Sequence, residues 1–198
     1  MSKKVIVLLA EGFEEVEAIT PIDYLRRVGL EVTTASIGKS PNVTSARSIQ
    51  VLADILLSDL SSAGKLSPAA WDAVVVPGGL PGADNLAASK ETGAFLKEMA
   101  GAGKLVSAIC AAPARVLSPL GLLAGKNFTC YPGEEEKVLA PGSASTGAAW
   151  KQDRVVVDGN ILTSRGAGTA GLFACAIITE LLSEAEAKQL AQKVLLDY

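Results

Sequence analysis

The sequence contains no histidine. That absence excludes Ser-His-Asp and Cys-His nucleophile pairs, His-ligated zinc and any proton relay built on imidazole. Cysteine is scarce as well: Cys110, Cys130 and Cys175 stand far apart, an odd set without a C-x-x-C pair. Such a set suits neither a disulfide scaffold nor a zinc ribbon. There is no basic excess either, with 18 Lys+Arg against 21 Asp+Glu and a net charge of −3. A dedicated nucleic-acid surface, which would show as a basic stripe, is therefore not expected. No charge-free apolar run approaches the ~18 residues of a membrane span. The opening run KVIVLLA (4–10) is short and leads into EGFEE (11–15), unlike a signal peptide. The expectation is a cytoplasmic protein, without membrane partners, whose chemistry rests on thiols, carboxylates, hydroxyls, Lys, Arg or backbone amides.

What is present reads as an ordinary globular chain, 49% apolar and 20% charged over 198 residues. That length suits one domain, 1–198. KVIVLLA is continuously apolar, as a strand buried on both faces of a parallel sheet would be. EEVEAITPIDYLRRVG (14–29) reads as a helix, acidic at its start and basic at its end, with a kink expected at Pro21. LEVTTASI (30–37) returns to strand, and 38–49 reads as an excursion with short edge strands. DAVVVPGG (72–79) is a strand entering a glycine turn, TGAFLKEMAGAG (92–103) a helix, and KLVSAICAAPARVL (104–117) a strand passing into a helix through Cys110. After NFTCYP (127–132), RVVVDGNILTS (154–164) reads as a hairpin. Helices follow from about Thr169 to Leu182 and over 183–195, the last opened by a Ser183–Glu186 capping box. Alternating strands and helices predict an α/β sandwich with a mostly parallel sheet. Sites in such sheets form at the carboxyl ends of the strands. That singles out the loops after Ala10, Val76 and Ile109.

Cys110 follows a strand and precedes a helix, the geometry of a nucleophile elbow with Cys in place of Ser. Amides at a helix start lower a thiol pKa and raise the reactive thiolate. The alternative is a buried core cysteine. The core reading is preferred for Cys175, inside LFACAII, and for Cys130, which ends a strand. Gly79, in the PGG turn, and Ala111, after the thiol, would point their N–H groups into an oxyanion hole; PGG alone also fits a plain tight turn. Glu14, Glu15 and Glu17 suit a solvated first helical turn. Glu17, flanked by Val16 and Ala18, could instead turn inward, stay protonated beside the thiolate and serve as acid and base. GAGTAG (166–171) matches a dinucleotide fingerprint in spacing. It lacks a following strand with an acidic ribose partner, so it reads as a turn with close helix packing.

At AEGFEEVEAITPID, VVVPGG, AICAAPA and ILTSRGAGTA together, the chain resembles the ThiJ/PfpI superfamily, in the branch of the Parkinsonism-associated protein deglycase and its bacterial relatives. The resemblance implies a flavodoxin-like sandwich with helices on both faces, and a homodimer in which Arg47 reaches toward the site. It also implies Cys110 as an oxidisable nucleophile paired with Glu17, with the Gly79 and Ala111 amides beside the sulfur. The implied activity is a cofactor-free glyoxalase or deglycase acting on small dicarbonyls or glycated adducts. The implied alternative is a redox sensor or chaperone whose Cys110 is oxidised to sulfinic acid without turnover. Many relatives carry His where this chain has Tyr131, which argues against a Cys-His protease.

Overall fold

The computed structural model describes residues 2–198. In chain order, the first strands and helix are β1 (Lys4–Leu9), α1 (Glu15–Arg27), β2 (Glu31–Ser36), β3 (Asn42–Thr44), β4 (Gln50–Leu52) and β5 (Ile55–Leu56). Then come α2 (Leu57–Ser62), β6 (Ala73–Val76), α3 (Gly82–Ala88), α4 (Lys90–Gly101) and β7 (Leu105–Ile109). A π-helical turn (Pro113–Leu117) leads to β8 (Asn127–Phe128), α5 (Glu135–Leu139), β9 (Ala149–Trp150), β10 (Val155–Asp158), β11 (Ile161–Ser164), α6 (Ala170–Leu181) and α7 (Glu184–Lys193).

Seven strands form one sheet in the order β10-β11-β7-β6-β1-β2-β5. Every neighbouring pair is parallel except the β10–β11 hairpin. The all-apolar central strands explain that placement. Along β1, Val5, Val7 and Leu9 face one buried cluster while Ile6 and Leu8 face the other, as side chains alternate across a strand. The first cluster packs under α1, α6 and α7 through Ala18, Leu25, Phe173 and Ala187. The second packs under α2, α3 and α4 through Leu57, Leu86, Phe95 and Met99. This is the flavodoxin-like arrangement expected, with helices on both faces.

The hairpin turn falls on Gly159, at φ +63°, and the excursion expected over 38–49 runs three residues further, its strands β3 and β4 pairing antiparallel with each other. Helix α1 continues through the buried Pro21. Ser183 caps α7 by accepting the Glu186 N–H at 3.2 Å. After Cys110, one element differs from expectation: in place of a full helix the chain makes a five-residue π-helical turn. Among the described residues no helix is long and apolar enough to cross a membrane.

Candidate active site

The three loops singled out at the carboxyl ends of β1, β6 and β7 converge. The Glu14 N–H donates to Gly78 O at 3.0 Å, joining the first loop to the second. The Cys110 N–H donates to Ser164 O at 3.0 Å, and Cys110 O accepts the Tyr131 N–H at 2.9 Å, so both neighbouring segments hold the cysteine backbone. Cys110 itself sits at φ +65°. An L residue held in the left-handed region costs on the order of 1–3 kcal/mol and persists only where its surroundings enforce it.

Glu17 faces inward. It is 1% exposed, and its Oε2 accepts the Gly78 N–H at 2.9 Å. The Ala167 N–H and the Cys110 thiol also bear on its carboxyl, favouring its charged form. Glu14, by contrast, caps α1 by accepting the Glu17 N–H at 2.8 Å. The PGG turn is built for contact: a Cβ on Gly78 would meet Cys110 Cβ and Glu17 Oε2, each at 2.7 Å. Gly79 stands at φ +88°, with the Gly12 and Phe13 backbone 2.7 Å from where its Cβ would lie. Beside that close fit, the Gly79 and Ala111 N–H groups bear on the Cys110 thiol and favour its charged form.

Burial pushes the Glu17 carboxyl up to about 7, against the hydrogen bonds it receives from Cys110, Gly78 and Ala167. Burial also pushes the Cys110 thiol up, followed by the charge of Glu17 and the hydrogen bond to it, while the Ala111 and Gly79 N–H groups pull it down. The fall in thiol pKa expected from a helix start is thus not realised while Glu17 is ionised. The reason is physical: a single π-helical turn supplies little dipole, and desolvation outweighs two amides. Two anions cannot share so buried a space, so once the pair has lost one proton, at about pH 7, it keeps the other. With the proton on Glu17, its O–H becomes a donor and the same contact stabilises the thiolate.

This coupling has a stability consequence. The folded-state pKa of Glu17 is raised from 4.5 to about 7, so its contribution is complete below 4.5 and is lost as pH rises through 7. Up to about 3 kcal/mol should disappear from the wild type relative to Glu17→Gln between pH 4 and 8. Urea unfolding of both proteins across that range measures the difference.

A family model described as the DJ-1/PfpI family matches residues 3–180. The chain belongs to the DJ-1/PfpI family. It is 37% identical to the Parkinson disease protein 7 homolog of Danio rerio, over 98% of this chain and 97% of that protein. It is 34% identical to the glutathione-independent glyoxalase DJR-1.2 of Caenorhabditis elegans, over 89% of this chain and 87% of that one. Protein DJ-1 homolog B of Arabidopsis thaliana is 38% identical over 96% of this chain, but the chain spans only 41% of its length. The solved structure of oxidized Toxoplasma gondii DJ-1 superposes with a TM-score of 0.90 at 36% identity, covering 100% of both chains.

Within this DJ-1/PfpI fold, Cys110, Glu17, Gly79 and Ala111 meet at one point. Two contributors escaped the sequence reading. Gly78, inside PGG, gives its N–H to Glu17, and Ala167, inside GAGTAG, favours the charged form of the same carboxyl through its N–H. The glycine-rich signal was visible in both, but not the direction of the amides. GAGTAG otherwise behaves as expected: a Cβ on Gly171 would press on Leu196 Cδ1 at 3.0 Å. Cys130 and Cys175 are both buried in the core, and burial pushes their thiols up to about 12 and about 11. Tyr131 is 54% exposed beside the site. A larger hollow, about 700 Å³, opens at the opposite rim among Lys3, Lys65, Trp71 and Asp72, and the Cys110 site has no part in it.

Proposed function

We propose that this chain is a cysteine-dependent, cofactor-free glyoxalase of the DJ-1/PfpI family, acting on reactive dicarbonyls or their adducts. One observation carries the reading. A thiol, a buried carboxyl and two backbone N–H groups gather at the carboxyl end of the sheet: Cys110 Cβ and Glu17 Oε2 both crowd Gly78, and Glu17, Gly79 and Ala111 set the titration of the thiol. The relationship to a protein named as a glutathione-independent glyoxalase supports it.

The reaction follows from those groups. With the pair's proton on Glu17, the Cys110 thiolate adds to the aldehyde carbon of methylglyoxal, breaking the C=O π bond. Glu17 gives its proton to the new alkoxide, and the Gly79 and Ala111 amides, released from the sulfur's charge, hold that oxygen. Glu17, now a carboxylate, removes the hydrogen on the same carbon as a proton. The electron pair passes through an enediolate, the hydroxyl proton passes from the first oxygen to the former ketone oxygen, and Glu17 returns its own proton to the neighbouring carbon. The aldehyde carbon is thereby oxidised to a thioester and the ketone carbon reduced to an alcohol. Water hydrolyses the thioester and expels the thiolate, so methylglyoxal and water give lactate and a proton. Attack on a glycated adduct by the same thiolate would be deglycation. Incubation with methylglyoxal, without glutathione or metal, should yield stoichiometric lactate; substrate consumed without lactate would refute the reading.

A second reading has its own support. Cys110 is only partly buried, unlike the other two cysteines, and the Toxoplasma relative was solved as an oxidized protein. As a sensor, the thiolate would take an oxygen from each of two peroxides, giving sulfinate and two waters. Two added oxygens on Cys110 by intact mass, from a protein that forms no lactate, would replace the first reading with this one.

A further inference from the structure

Three neighbouring strand ends set Cys110, Arg165 and Arg154 in a row. Ser164 of β11 pairs with Ile109 of β7, so Arg165, one residue on, lies beside Cys110. Val155 of β10 pairs with Ser164, so Arg154, one residue earlier, lies beside Arg165. At the usual strand spacing, the two arginine backbones stand roughly 5 and 10 Å along the rim from Cys110. Both arginines line a shallow hollow of about 460 Å³ together with Tyr131, Pro132, Gly166 and Ala167. The hollow adjoins the proposed catalytic pair: a Cβ on Gly166 would lie 3.5 Å from the Tyr131 ring and 3.9 Å from Glu17 Oε1.

Neither arginine forms an ion pair among the described residues. Arg165 Nη1 donates to Gln152 O at 3.1 Å, which steadies its stem. Glu134 takes Arg115 and Lys137, Glu135 accepts the Gly133 N–H at 2.7 Å, and Asp153, next to Arg154 in the chain, forms no ion pair with either arginine. Two guanidinium groups at facing positions of an antiparallel pair repel each other. An anion set between them reverses that sign, and planar guanidinium forks match phosphate oxygens two at a time.

We infer that this hollow is the subsite for a phosphate at the far end of the substrate. The inference rests on the glyoxalase reading and names its substrate class: an α-oxoaldehyde whose aldehyde carbon meets Cys110 Sγ while a terminal phosphate meets Arg165 and Arg154. The span fits. From aldehyde carbon to phosphorus, a three-carbon chain esterified at its last carbon has four bonds, about 5 Å at ~1.2 Å of advance per bond. The Arg154 side chain spans the second strand spacing, since both arginines line the same hollow. Methylglyoxal ends in a methyl group and touches neither.

The test has two arms on the full chain. Glycerol 3-phosphate, which has no carbonyl, is titrated calorimetrically into the wild type and into an Arg154→Met/Arg165→Met double variant. Affinity should fall at least about tenfold in the variant, the scale of a lost charge-assisted hydrogen bond. In parallel, kcat/KM is measured for hydroxypyruvaldehyde phosphate and for methylglyoxal; their ratio should fall by at least the same factor. The single Arg154→Met variant, which keeps the Arg165–Gln152 bond, should move both quantities the same way and serves if the double variant does not fold. Equal binding by wild type and variant, no binding by either, or an unmoved ratio overturns the subsite. Lactate from methylglyoxal with no glycerol 3-phosphate binding sinks the subsite alone. Arginine-dependent binding in a protein that forms no lactate supports the subsite and removes the glyoxalase reading.

Discussion

Glu17→Gln is expected to lower kcat for methylglyoxal by at least about two orders of magnitude, the usual scale for a lost general acid–base, with KM little changed. The side chain keeps its volume, and its amide oxygen can still accept one N–H of the two now donated by Gly78 and Ala167. What disappears is the titratable carboxyl that acts on the thiol, and with it the carrier of the proton between adjacent carbons. The pH profile separates this role from a structural one. Wild-type activity should rise with pH through about 7, where burial has moved the Glu17 carboxyl, because the pair must lose one proton before a thiolate can form. In the glutamine variant that rise should vanish or move to the titration of Cys110 alone. Steady-state kinetics between pH 5 and 9 would show both effects; a variant within threefold of wild type, with the same profile, would remove Glu17 from the mechanism.

The Gly79→Ala variant should be damaged in two ways. Its new methyl would lie 2.7 Å from Gly12 O and from the Phe13 carbonyl carbon, and backbone cannot rotate aside as a side chain can. The position also holds φ +88°, which disfavours any residue with a Cβ by about 1–2 kcal/mol before the overlap is counted. Together these should cost at least about 3 kcal/mol, or roughly 6–12 °C in Tm for a chain of this size. Because the Gly79 N–H also favours the charged form of Cys110, surviving folded protein should also turn over slowly. Gly101→Ala supplies the contrast. Nothing lies within 4 Å of its Cβ position at the end of α4, so that variant should match or exceed wild-type stability. Thermal melts of the two variants side by side measure the difference. Similar Tm values would show that the PGG turn tolerates a side chain.

The sheet was legible because its central strands are buried on both faces, leaving unbroken apolar runs at β1, β6 and β7. The meeting of Cys110, Gly79 and Glu17 was legible for a related reason: in a parallel sheet the loops after successive strands open on one rim. Short elements were hidden. α3 is GADNLAA and α2 is LSDLSS, both too brief for apolar periodicity, so packing decides their conformation. The π-helical turn after Cys110 was hidden as well, since nothing in AAPARVL distinguishes it from an α-helix. The titration of the thiol could not be read from position at all. It depends on how completely three distant segments remove water from Glu17 and Cys110, a property of the assembled core. The Ala167 amide belongs to the same class, because a glycine-rich string announces a turn but not where its N–H groups point.

The account stands most directly on lactate formation from methylglyoxal by the wild type and by Cys110→Ala, at matched protein concentration and without added cofactor. Lactate from the wild type and none above the uncatalysed rate from the variant is the predicted result. Equal lactate from both proteins, or none from either, would contradict it.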